Sequence, residues 1–355
     1  MVGIRLGTVC VMLCQYVLSM ERSQEMNKEF HYWITGMIAY AAGFNNRETT
    51  VIAHSSQFVD DNDNTVAVFD DEMSLTPVYQ NQVSQTMNIL LPRRDLMHIY
   101  PLFHFIPGDY QHAPERVDQK THLLNTTPNS ANAQAVLQDA LNAFTTKDTL
   151  GLYRLGIATH AFADTWAHQN FTGSWDAFND MGNLLTPDAG HADALHHPDL
   201  VSHRWTDNRL KEPEISNNIR FMNAAKCLYD IYQRMLTSSG RAVNNTWQEL
   251  EEMLLAIFGS TYSGSKEKGI EGRVAQYRAF VPFLPDYDES VWQFSALESR
   301  MVHKVDDGYE ERYFWKPGVQ KETTDWYRFQ ESVKAHVVAA TNILKPLFVQ
   351  TGIVV

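Results

Sequence analysis

"GIATHAFADTWAHQNF", residues 156–171, sets His160, Asp164 and His168 four residues apart among small and apolar neighbours. On a helix, positions i, i+4 and i+8 lie nearly above one another, so the three side chains share one stripe and point at one place. Ile157, Ala158, Ala161, Phe162, Ala163, Trp166 and Ala167 occupy the same turns, which predicts a helix buried on most of its faces. Buried imidazole and carboxylate need partners. A core network in which His160 and Asp164 satisfy each other meets that need for one pair. Three groups in register ask for something more, and the other histidines of the chain decide what.

Working outward, "FHYWITGMIAYAAGF" at 30–44 reads as an apolar helix closed by Gly43, and a second helix is expected over 47–59. Residues 60–130 are irregular and rich in Asp, Asn, Pro and His, with short strands expected around "VAVFDD" and "HIYPLFHFI". A connection of that length is often functional. Helical patterning returns at 131–145 and 148–170, then near 214–237, 246–258, 267–280 and 322–348, with Thr246 and Glu249 forming a capping box. The expectation is a mostly helical single domain over 26–355, with its metal-site part at 26–205 and further helices at 206–355.

Composition supports a folded chain: 355 residues, 44% hydrophobic, 12% aromatic and 20% charged. A formal charge of -13 argues against a surface that grips duplex nucleic acid by neutralising phosphates. It leaves room for a local phosphate site in which bound divalent cations dominate the field. The cysteines, Cys10, Cys14 and Cys227, are too few and scattered for a disulfide scaffold or a thiolate metal site, so any metal must use histidine and carboxylate. The apolar run within "MVGIRLGTVCVMLCQYVLSM" at 1–20 is too short for a membrane span. It reads either as a signal segment, which implies export, or as sequence before a true start at Met26, which implies a cytoplasmic protein.

Twelve of the fourteen histidines fall between 31 and 203. The candidates are His31 in the first helix, His54 with Asp60 and Asp61 in "AHSSQFVDDND", His104 in "FHFIPGD", the stripe itself, and "GHADALHHPD" with His191, His197 and Asp199. Each has an ordinary reading: His31 as an interface residue, His54 in a surface or core role, Asp60 and Asp61 as turn and cap residues, His104 as a packed core side chain, and the 190–199 histidines as a solvated helix end. Together they form the imidazole and carboxylate set that holds zinc without cysteine, numerous enough for two or three ions gathered from several helices.

The motif "HAFADTWAH" resembles that of the superfamily joining bacterial zinc-dependent phospholipase C with the fungal zinc-dependent single-strand nucleases. The resemblance covers roughly residues 26–205 and looks most like a bacterial branch. It implies a multi-helix bundle with long irregular loops and a zinc cluster at the bottom of a cleft. It also implies that Asp60, His104, His160 and Asp164 hold a first zinc, that Asp164 bridges to a third ion carried by His31, and that His168 belongs to the second. The family completes its second zinc with an H-x-x-x-E/D pair. Here Leu195 stands four residues beyond His191, leaving His197 or Asp199 to supply the remaining ligand. The family's third zinc also uses the free N-terminal amine, whereas His31 lies five residues after Met26.

The implied activity is phosphoester hydrolysis, in which bound zinc acidifies a water and stabilises the charge of the transition state. Asp60 or Asp61 is then the carboxylate nearest the attacking oxygen. The acidic charge favours a phospholipid or small phosphodiester over long nucleic acid. Two readings from other classes stand beside it: a non-catalytic helical domain whose metal ions serve folding or partner binding, and a metal-free helical interaction protein.

Overall fold

The computed structural model describes residues 28–353 apart from 87, 89–92, 184–187, 264–268 and 304–307. The expected leader, with Cys10 and Cys14 and the alternative start at Met26, lies outside the described residues.

The chain is mostly helical. A π-helical segment, Glu29–Ile34, runs into α1 (Thr35–Ala42), which Gly43 ends in the left-handed conformation at φ 114°. Helix α2 (Asn46–Asp61) starts at a capping box formed by Asn45 and Glu48. The irregular region contains β1 (Ala67–Phe69), β2 (Tyr79–Gln80), α3 (Arg93–Met97) and α4 (Tyr100–Phe103). Ser130 caps α5 (Ala131–Thr145), and α6 (Gly151–Ala167) carries the motif. A short hairpin, β3 (Arg204–Thr206) and β4 (Glu214–Ser216), leads into α7 (Asn217–Ser238). Then follow α8 (Trp247–Phe258), with the expected Thr246–Glu249 capping box, α9 (Ile270–Phe280), α10 (Val291–Ala296), β5 (Leu297–His303), β6 (Tyr309–Trp315) and α11 (Asp325–Thr351).

Strands β2, β1, β6 and β5 form a four-stranded sheet in that order, with β1 and β6 parallel and the other neighbours antiparallel. The structure departs from expectation at "HIYPLFHFI", which forms no strand and is helical at Tyr100–Phe103. Pro101 sits in the first turn of α4, where its missing N–H leaves no hydrogen bond unmade. The β5–β6 hairpin has no counterpart in the sequence reading.

Helix α6 is the centre of the molecule. It packs against α2, α5, α7 and α11, and every residue from Leu155 to Ala167 is buried. Its all-round apolar composition is what a central helix needs, since no face meets water. Gly156 lets α2 approach: a Cβ there would lie 2.5 Å from the Ser55 Cβ and 2.6 Å from the Ile52 carbonyl oxygen. That contact lays α2 against α6, and the two helices present Asp60 and His160 to the same place. One contiguous apolar core runs from Phe30 to Phe348, so the helices after residue 205 share it with those before. No helix among the described residues is long and apolar enough to cross a membrane.

Candidate metal centre

Side chains from five separate segments converge around Asp164. Asp60 Oδ1, His104 Nδ1, His160 Nε2 and Asp164 Oδ2 form one knot. The two imidazole nitrogens are 3.1 Å apart and each is 3.2 Å from Asp164 Oδ2, while Asp60 Oδ1 lies 3.5 Å from His160 and 3.7 Å from His104. A tetrahedral ion with ligands at about 2.0–2.1 Å spaces its donors about 3.3–3.4 Å apart, and these separations scatter around that edge. The other oxygen, Asp164 Oδ1, meets His31 Nε2 at 3.0 Å, and the His31 ring stacks on His160 with centroids 3.9 Å apart.

A second knot joins His168, His191 and Asp199. His168 Nε2 is 3.1 Å from Asp199 Oδ1, and His191 Nε2 is 3.5 Å from Asp199 Oδ2. His168 Nδ1 also lies 3.6 Å from Asp164, which ties this knot to the first.

Backbone carbonyls fix the rings. His104 Nε2 donates to the Ser84 carbonyl at 3.0 Å, His168 Nδ1 to the His104 carbonyl at 2.8 Å and His191 Nδ1 to the Leu195 carbonyl at 2.8 Å. Each bond holds a proton on the outer nitrogen and leaves the inner one as a lone-pair donor, which is how metal-ligating histidines are prepared. The Leu195 carbonyl is aimed by backbone strain, since φ 52° and ψ -128° is a conformation suited to glycine. Asp60 Oδ2 is buried without a hydrogen-bond partner, as are the outer nitrogens His31 Nδ1 and His160 Nδ1. The donor set is thus hard oxygen and borderline nitrogen, buried and convergent, and it fits a divalent ion of zinc's kind.

The electrostatics follow from this crowding. Burial opposes the charge on Asp164, yet His168, His160 and His31 together hold its carboxyl well below the usual range. Burial likewise opposes Asp199, which His191 and His168 bring below its ordinary value. Burial works against the charged form of His168, but Asp164 and Asp199 overcome it and raise the imidazole to about 9. Burial lowers His160 and His191. His31 is raised, because Asp164 outweighs the burial that pulls it down.

Of the residues singled out from sequence, His31, Asp60, His104, His160, Asp164, His168, His191 and Asp199 come together. His197 is directed elsewhere: its Nδ1 is 2.7 Å from His203 Nε2 and the two rings stack. Asp61 turns away from the knot, and its Oδ2 accepts from Tyr287 Oη at 2.6 Å and Gln57 Nε2 at 3.2 Å. Burial raises its carboxyl to about 7. His54 lies in an aromatic cage of Trp292, Tyr287 and Phe58 and is pushed down to about 3 by burial.

Two supports were not foreseen. Asn217 donates Nδ2 to the carbonyls of His197 at 2.7 Å, Pro198 at 3.3 Å and Leu200 at 2.7 Å, and so pins the turn that presents Asp199. Buried Glu29 is clamped by Arg273, with Nη2 at 2.8 Å, and by Tyr277 Oη at 2.6 Å, which anchors the π-helical segment under His31. Neither has a local sequence signal, because each joins segments remote along the chain.

Residues 26–344 match the family described as "Family of unknown function (DUF6765)", and the chain belongs to that family. No curated protein and no solved structure matches it.

Proposed function

We propose that this member of the family is a metal-dependent phosphoester hydrolase of the phospholipase C and single-strand nuclease type, with a helical bundle around two or three zinc ions. Asp60, His104, His160 and Asp164 would hold one ion and His168, His191 and Asp199 another. His31, with the second oxygen of Asp164, would hold a third. The observation that carries the reading is that His168, His191 and Asp199 bring three donor atoms within reach of one ion, beside the groups Asp60–His104–His160 and His31–His160–Asp164. Three protein donors leave a position for water or substrate.

Bound zinc would supply an acidified water and stabilisation of the added negative charge at phosphorus. The chain's own residues do the rest. Asp199 and Asp164 border a small gap of about 10 Å³, close to the space one water needs, whose walls are Phe30, Phe221, Ala163 and Ala167. The Phe30 and Phe221 rings lie 5.1 Å apart and offer an apolar wall to a substrate group. Asp60 Oδ2, buried beside His104 and His160 without a partner, would be the carboxylate oxygen that holds a proton, whereas Asp61 is turned to Tyr287 and Gln57. The charge of -13 favours a small phosphodiester or phospholipid over a long nucleic acid.

Buried donor groups of this kind also suit a metal that only stabilises the fold, which is the competing reading. Elemental analysis of the wild type, His160→Ala and Asp164→Ala, followed by hydrolysis of bis(p-nitrophenyl) phosphate, separates the possibilities. Near-stoichiometric zinc lost in both variants, with turnover by the wild type, supports the hydrolase. Zinc without turnover of any phosphodiester leaves a structural site, and negligible metal in all three proteins ends both metal readings.

A further inference from the structure

Arg220, in the first turns of α7, is only 7% exposed and has no carboxylate partner among the described residues. The other arginines buried in this region are paired. Arg116 grips Asp118 through Nε and Nη2, both at 2.9 Å, and Arg209 grips Asp207 at 2.9 and 2.8 Å. Arg220 makes one hydrogen bond, from Nη1 to the Ala167 carbonyl at 3.2 Å, and its Cζ lies 5.6 Å from the Trp205 ring. Asp207 is the carboxylate that acts on its charge, and Arg209 occupies both oxygens of that group. Burial therefore outweighs attraction and draws the guanidinium down to about 9, still charged at neutral pH. A buried cation with one neutral acceptor is expensive unless an anion completes it. None of its nitrogens is among the fully enclosed, unpartnered polar atoms of the described residues.

The position supplies the second half of the inference. Ala167, which accepts the Arg220 bond, and Phe221, its chain neighbour, both line the gap bordered by His31, Asp164 and Asp199. The positive end of the α7 helix adds to the same field. We propose that Arg220 is a substrate-binding residue that takes the phosphate group, pairing its free N–H groups with two phosphate oxygens in the manner of a guanidinium fork. This rests on the hydrolase reading for the identity of the anion, and on geometry alone for there being an anion site.

Calorimetric titration of inorganic phosphate into the full chain as purified, into Arg220→Gln and into Arg220→Lys tests it. Phosphate binds the wild type, Arg220→Gln weakens that binding by about tenfold or more, and Arg220→Lys, which keeps the charge but loses the fork, weakens it less. With bis(p-nitrophenyl) phosphate as substrate, KM rises in Arg220→Gln more than kcat falls. An arginine that merely caps the end of α6 would alter the melting temperature and leave phosphate affinity unchanged. That result, or a wild type that binds no phosphate, overturns the proposal. If Arg220→Gln fails to fold, Arg220→Lys decides by the same comparison. The two readings fail separately. A protein without zinc or turnover whose phosphate binding still depends on Arg220 loses the hydrolase and keeps the anion site, whereas zinc and turnover with unaltered phosphate affinity in the variants do the reverse.

Discussion

Asp164→Asn is the most informative single change, because one carboxylate serves three imidazoles on two oxygens. Oδ1 meets His31 at 3.0 Å, and Oδ2 meets His104 and His160 at 3.2 Å each. The amide keeps the size of the side chain but loses its charge and presents one oxygen in place of two. Zinc held by four ligands is worth about 10–16 kcal/mol, so one donor's share is about 3–4 kcal/mol, or roughly two to three orders of magnitude in affinity. The consequence is readable as stability. At free zinc about 100 times the wild-type Kd, binding adds about 2.7 kcal/mol to the fold, and a Kd weakened by roughly 300-fold reduces that to below about 0.5 kcal/mol. Thermal melts with and without zinc, beside elemental analysis, measure both. The wild type should melt several degrees higher with zinc, and Asp164→Asn should show almost no zinc-dependent shift. An Asp164→Asn protein with the wild-type zinc shift and the wild-type metal content would refute the shared-carboxylate geometry.

Three further outcomes follow from the supports and from buried groups away from the proposed metal centre. His54 is held at about 3 by burial, so between that value and about 6.5 the unfolded chain binds the proton first. Stability then falls with falling pH by up to about 1.4 kcal/mol per unit, and at pH 5 His54→Leu should be spared about 2 kcal/mol of that loss in urea unfolding. Leu195→Gly relieves the positive φ while keeping the carbonyl that holds His191, and the leucine is 41% exposed, so unfolding in urea should show a gain of about 1 kcal/mol with metal content unchanged. Asn217→Ala removes the donor to three carbonyls and the acceptor of the Trp205 indole N–H at 3.0 Å, so it should cost about 2–4 kcal/mol and reduce metal content at the knot containing Asp199.

The motif helix was legible because its chemistry is written at helical spacing: His160, Asp164 and His168 share a face whatever they are packed against. The long helices were legible from apolar periodicity and from caps such as Thr246 with Glu249, whereas the short α3, α4 and α10 were not. His31, Asp60 and His104 could be ordered along the chain but not joined, since their meeting depends on α2 and the π-helical segment packing around α6. The ambiguity between His197 and Asp199 could not be resolved from spacing, because both lie in the same single turn around Pro198 and only the tether from Asn217 decides which faces inward. The β5–β6 hairpin escaped notice because its strands, "LESRMVH" and "YEERYFW", are charged and exposed on much of both faces, so no clean alternation marks them.

The two knots are coupled through one residue in two ways that can be separated. The ring of His104 belongs to the first knot, and its backbone carbonyl orients His168 in the second at 2.8 Å. His104→Ala removes the ring and keeps the carbonyl. The first knot then loses one of its donors, while His168 retains its orientation, its 3.1 Å approach to Asp199 and its stacking on Phe105 with centroids 4.5 Å apart. Metal content should therefore fall by one ion, and the remaining ion should keep its affinity. Loss of every ion would mean that the ring of His104 supports the second knot as well, contrary to a carbonyl tether. No loss would mean that its Nδ1 is not a ligand, despite lying 3.2 Å from Asp164 and 3.1 Å from His160.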